Sequence, residues 1–92
     1  MTKTLPYRQL ERLVRGFSNH RRIQMLELLL AEPELSVADI STRLKINFKT
    51  AGAHILRLAV AGLVMKRNEG AAVRHKLTER GILILKFLRT LA

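Results

Sequence analysis

Apolar residues recur at intervals of three and four along most of this chain and alternate with polar ones near its residues 73–77. The first spacing marks one face of a helix and the second a half-buried strand. Leu10, Leu13, Val14 and Phe17 predict a first helix over about 6–17, with Pro6 in its first turn and Arg8, Arg12 and Arg15 on another face. Gly16-Phe17-Ser18-Asn19 breaks the pattern, and Ser18 or Asn19 supplies the next N-cap. The second helix, about 20–31, turns Ile23, Leu26, Leu29 and Leu30 inward and stops before Pro33.

Ser36-Val37-Ala38-Asp39 has the spacing of a capping box, with Asp39 facing back toward the helix start. It opens a short helix over about 37–44 that buries Ile40 and Leu44. Lys45-Ile46 turns the chain, and Asn47 caps a fourth helix, about 48–61, whose inward stripe is Ala51, Ile55 and Leu58. Gly62 closes it, since glycine tolerates the left-handed cap. Residues 63–67 then read as a strand, Asn68-Glu69-Gly70 as a turn, and 73–77 as an antiparallel partner. Thr78 caps a last helix through about 91. The expected fold is mainly α with a small β-hairpin, in the order α-α-α-α-β-β-α, as one domain over 1–92.

Composition narrows the functions. The 92 residues are 48% apolar and 26% charged, enough for one domain with a thin core. With no cysteine, disulfides and thiolate chemistry are excluded. The opening residues 1–6 have no apolar run of the signal-peptide kind. The apolar stretches 25–31 and 81–88 carry charges and are too short to span a bilayer. Both observations predict a soluble, cytoplasmic protein with no membrane partner. No nucleophile elbow, phosphate loop or paired-carboxylate motif is present, so an enzyme is not expected. No two histidines have i, i+4 spacing, and neither a metal nor a cofactor is expected.

Charge changes the picture most. Seventeen Lys and Arg against seven Asp and Glu give a formal net charge of +10, which favours polyanionic partners. Residues 1–22 carry six basic groups and one acidic, residues 23–42 four acidic and no basic, and residues 43–76 eight basic against Glu69 alone. The four acidic groups of 23–42 read as solvated helix faces. The +7 segment falls on the fourth helix and the hairpin.

Two helices joined by a turn of about three residues, followed at once by a basic hairpin, have the order of a winged helix-turn-helix. In that motif the second helix enters the major groove of double-stranded DNA, and the hairpin lies on the backbone or minor groove. Arg43, Lys45, Lys49 and Arg57 surround the candidate recognition helix, and Lys66, Arg67, Arg74 and Lys76 lie on the hairpin. Asn47, Phe48, Thr50, Ala53 and His54 complete the candidate DNA-binding set. Phe48 either touches a thymine methyl or packs the turn. Thr50 caps, packs or bonds phosphate. His54 contacts a base or phosphate or is a half-exposed helical histidine. Gly52 within a helix costs about 1 kcal/mol relative to alanine and suggests a close backbone approach.

The run His54-Ile55-x-x-Leu58-x-x-x-Gly62-Leu63-Val64, with Arg67-Asn68-Glu69-Gly70 and Lys76-Leu77-Thr78 after it, resembles the ArsR-type winged-helix repressors and their archaeal relatives. Arg22-Ile23-x-x-Leu26-x-x-Leu29 and Leu35-Ser36-Val37-x-x-Ile40 extend the likeness to roughly residues 10–80. The resemblance implies a transcription regulator, a repressor that blocks promoter access. Ser36 and Ala38 stand where metal-sensing members carry cysteines, and the last helix has no His or carboxylate ligand set, which implies a non-metal-sensing branch. Gly52 and Ala53 stand where the family often has serine and arginine.

The ends of the chain point to self-association. Ile82, Leu83, Ile84, Leu85, Phe87, Leu88 and Leu91 cover every side of the last helix, more than one thin core can bury. A homodimer interface is expected from Leu5, Tyr7, Leu10 and Val14 of the first helix and Ile84, Leu85, Leu88 and Leu91 of the last, as the resemblance also implies. Two other functions fit the residues: a protein-interaction module docking through Leu56 and the Gly52-Ala53 surface, and a non-specific architectural nucleic-acid binder.

Overall fold

A computed structural model describes residues 5–92. The chain runs α1 (Tyr7–Phe17), α2 (His20–Ala31), α3 (Val37–Leu44), α4 (Phe48–Val60), β1 (Val64–Glu69), β2 (Ala72–Leu77) and α5 (Glu79–Arg89). This is the expected order, and it is a winged helix-turn-helix fold.

Local capping fixes most of the boundaries. Pro6 sits at the N-cap of α1 rather than within it. Asn19, not Ser18, caps α2 by accepting from the backbone N–H groups of Arg21 and Arg22. At α3 the Ser36 hydroxyl accepts from the Asp39 N–H and the Asp39 carboxylate accepts from the Ser36 N–H, both at 3.1 Å. These hydrogen bonds, with Arg43 and Arg74 nearby, hold the Asp39 carboxyl below the usual aspartate range. Lys45, between α3 and α4, takes a left-handed conformation (φ 56°) and sets the turn of the helix-turn-helix.

Phe17, Met25, Leu26, Leu29, Leu35, Ile40, Ala51, Ile55, Leu58, Leu63, Val64, Leu77 and Leu85 form one buried cluster. The inward stripe of α4 is the expected one. On α2 it is rotated: Met25 is buried, Ile23 only half-buried and Leu30 exposed. Helix α2 packs against α3, α4, α5 and β2, so its buried arc centres on Met25, Leu26 and Leu29. Two glycines permit close approaches. A Cβ at Gly16 would overlap the Ala61 side chain at the α1–α4 crossing, and one at Gly81 would overlap the Leu63 carbonyl.

The hairpin is longer than its alternation suggests. Asn68 and Glu69 stay in the ladder, opposite Val73 and Ala72, and the turn is Gly70-Ala71. Gly70 has φ 60°, which a tight hairpin turn requires, so the reversal falls there. Leu35 bridges to His75 on the free edge of β2, with N–H to O distances of 3.2 and 2.9 Å in the two directions. The buried His75 ring donates from Nδ1 to the same Leu35 carbonyl at 3.0 Å, tying the hairpin to the segment before α3.

The expected α5 interface needs correction. Leu85 is 1% exposed and belongs to the chain's own core, while Ile84 and Leu88 are partly buried against that core. Leu83, Phe87 and Leu91, one turn apart, are the outward apolar stripe, at 65%, 55% and 67% exposure. Because α5 is apolar on all sides, periodicity alone does not choose between these stripes. Leu5, just before α1, and Tyr7, Leu10 and Val14 on it are exposed as expected. Among the described residues no helix is long and apolar enough to cross a membrane.

Candidate nucleic-acid interface

Helix α4 buries Ala51, Ile55 and Leu58, which turns Lys49, Ala53, Leu56 and Val60 directly outward. Phe48 and Gly52 flank that line on one side, and Thr50 and Arg57 on the other. The Asn47 side chain accepts from the backbone N–H groups of Lys49 (2.8 Å) and Thr50 (3.3 Å), so its oxygen is engaged in capping the helix. Thr50 remains exposed beside that cap.

His54 faces α2 rather than straight out, and is half-buried. The Arg22 Nε donates to His54 Nδ1 at 3.2 Å, and Arg22 Nη1 donates to the carbonyls of Arg15 (2.9 Å) and Gly16 (3.1 Å) at the end of α1. Burial, then the charges of Arg22, His20, Arg21 and Arg57, push the His54 pKa down. A guanidinium only donates, so neutral His54 carries its proton on Nε2. Arg22 was not among the residues singled out from the sequence for this surface. The six basic groups of residues 1–22 were its one visible signal.

The eight expected cations divide into two sets. Arg43 pairs with Glu32 (3.0 Å), and Arg74 with Glu69 (3.3 Å). Arg67 pairs with both Glu34 and Glu69, the latter at 2.9 Å. Strand register puts Arg67 directly opposite Arg74, and the Glu69 carboxylate lies against both. Their hydrogen bonds and charges hold Glu69 below the usual glutamate range. Lys45, Lys49, Arg57, Lys66 and Lys76 are exposed and enter no ion pair among the described residues.

The acidic groups of 23–42 are solvent-accessible, as expected, but each is also engaged. Glu27 pairs with Arg89, Glu32 with Arg43 and Glu34 with Arg67, while Asp39 caps α3. The three ion pairs link α5, α3 and β1 to α2 and the segment after it at the surface. Among the described residues, no three His, Asp or Glu side chains converge on a metal-sized site.

No family model matches the chain. It is 36% identical over 69 residues to the HTH-type transcriptional regulator Rv0324 of Mycobacterium tuberculosis, covering 75% of this chain and 30% of that protein. It is 36% identical over 66 residues to the transcriptional activator HlyU of Vibrio cholerae, covering 72% of this chain and 60% of HlyU. The chain thus spans about a third and about three-fifths of these two relatives.

Solved structures give fuller coverage. The homodimeric winged helix-turn-helix DNA-binding domain Mb0332 of Mycobacterium bovis superimposes with a TM-score of 0.84 at 28% identity, over 99% of this chain and 89% of that one. HlyU of Vibrio cholerae superimposes with a TM-score of 0.78 at 30% identity, over 92% of both chains. These relatives are named as transcriptional regulators, not as enzymes. Shared sequence along nearly the whole of both chains, on one fold, places this chain in the ArsR/HlyU-type family of winged helix-turn-helix transcriptional regulators.

Proposed function

We propose that the protein is a homodimeric, sequence-specific regulator of transcription that binds double-stranded DNA and represses by blocking promoter access. Helix α4 enters the major groove, and the β1–β2 hairpin lies on the backbone or minor groove. It acts in the cytoplasm, on the nucleoid, and needs no cofactor. The observation that carries this reading is the coincidence of charge and shape. Five unpaired cations, Lys45, Lys49, Arg57, Lys66 and Lys76, border the outward face of α4 and the hairpin, the two elements that a winged helix-turn-helix presents to DNA. Arg43, Arg67 and Arg74 are held by carboxylates and reach phosphate only by exchanging partners.

The homodimer rests on the apolar stripes left outside the core: Leu83 and Phe87 on α5 with Leu91 just past its end, and Tyr7, Leu10 and Val14 on α1. Pairing these across a two-fold axis removes them from water and sets two α4 helices for successive major grooves. The homodimeric Mb0332 domain shares the fold. Selection of preferred sites from random duplex DNA tests the reading. A two-fold symmetric consensus is expected; recovery of random sequence contradicts specific recognition and leaves an architectural binder.

A further inference from the structure

Among uncharged side chains, the outward face of α4 offers few groups that read bases by hydrogen bonding; Thr50 is exposed at its flank, and Lys49 and Arg57 are its cations. Along its centre stand Lys49, Ala53, Leu56 and Val60, with Leu56 50% and Val60 80% exposed, and Phe48 exposed at the helix start. Of the polar residues nearby, Asn47 uses its side-chain oxygen on the cap and His54 uses Nδ1 on Arg22. The apolar groups are bordered by the cations Lys45, Lys49 and Arg57, which suit a polyanion better than an apolar protein partner. The one apolar feature that duplex DNA offers in the major groove is the C5-methyl group of thymine.

Gly52 supplies a second observation. It lies inside α4, where glycine weakens a helix, yet an added Cβ would meet nothing nearer than Val37 Cγ1 at 3.8 Å, an ordinary contact. Packing within the chain gives no reason for the missing side chain. Gly52 is half-buried on the α3-facing flank of that surface, and with Ala53 beside it the helix backbone is bare along this side, where a groove wall can approach it closely.

We propose that α4 reads its site chiefly through thymine methyl groups, held against Ala53 and Leu56 by a helix that Gly52 lets sink deep into the major groove. This deepens the DNA-binding reading and rests on it. Removing one contacted methyl by a thymine-to-uracil change forfeits the burial of one carbon, a weakening of about fourfold. Gly52→Ala separates folding from binding. It raises the thermal midpoint by roughly 4–8 °C while weakening binding to the preferred site by roughly ten- to hundredfold.

The test uses the preferred duplex obtained by selection, with each thymine replaced singly by uracil and binding followed by fluorescence anisotropy. One or more positions should lose about fourfold. Leu56→Ala, at an exposed position that the core does not need, should abolish the loss at one of them, and 5-methylcytosine in place of cytosine there should bind better than cytosine. A preferred site at which no uracil change matters overturns methyl readout while leaving specific binding intact. Failure to obtain any preferred site overturns the DNA reading itself, and methyl readout with it. A Gly52→Ala protein that binds as tightly as the parent overturns the role given to that glycine.

Discussion

Arg22 and His54, 32 residues apart, meet through a 3.2 Å hydrogen bond from the guanidinium Nε to the imidazole Nδ1. Arg22 also holds the carbonyls of Arg15 and Gly16 near the end of α1, so one side chain joins α1, α2 and α4. Protonating His54 puts a hydrogen on Nδ1 and sets that hydrogen against the Arg22 donor. Burial first, and then the charge of Arg22, lower the His54 pKa in the folded state, so the unfolded chain binds the proton more readily. Stability is undiminished above the unfolded value near 6.5 and falls as pH drops through it toward the lower folded value. A proton NMR titration should place His54 below the ordinary histidine range, and Arg22→Gln should move it back up. A His54 pKa that does not respond to Arg22→Gln contradicts the clamp.

The close α1–α4 crossing gives a prediction with its own internal control. Gly16→Ala should destabilise by about 1–3 kcal/mol through overlap with the Ala61 methyl, and Ala61→Gly in the same chain should recover much of the loss. Gly81→Ala meets the Leu63 carbonyl, a backbone group that no side-chain change removes. Thermal melts of the three variants and the parent check this. Equal stability of Gly16→Ala and the parent contradicts the packing described.

Glu69 restrains both wing arginines, so Glu69→Gln should loosen Arg67 and Arg74 toward phosphate, although Glu34 keeps a hold on each through its carboxylate and its carbonyl. DNA affinity at low salt should rise, and log K should fall more steeply with log salt, by about 0.9 for each phosphate gained. Binding isotherms at several salt concentrations measure the slope. An unchanged slope means that the wing arginines serve the hairpin and not the DNA.

Much of this was legible in the sequence because it is local. The Ser36–Asp39 box, the Asn47 cap and the Ala51, Ile55, Leu58 stripe all depend on residues within a turn or two of one another. The relations that shape the surface are not local. Glu34 reaches Arg67 across 33 residues, Leu35 bridges His75 across 40, and Arg22 reaches His54 across 32. Charge counting located the basic segment but not the carboxylates that neutralise part of it. On α5, where nearly every position is apolar, only the packed structure separates buried Leu85 from exposed Leu83 and Phe87.

That separation decides how to break the proposed dimer. Leu83→Glu with Phe87→Glu should give a monomer that stays folded, because both side chains lie outside the core. Leu85→Glu should unfold the chain instead. Sedimentation equilibrium should give the parent protein twice the 10.5 kDa chain mass and the double variant the single mass. A parent protein that is monomeric at micromolar concentration contradicts the homodimer.

The most direct measurement is a fluorescence anisotropy titration of the protein against its selected duplex and a scrambled duplex of equal length, near 0.15 M salt. A sequence-specific regulator binds the selected duplex at least about a thousandfold more tightly. Equal affinity for the two duplexes contradicts sequence-specific regulation by this surface.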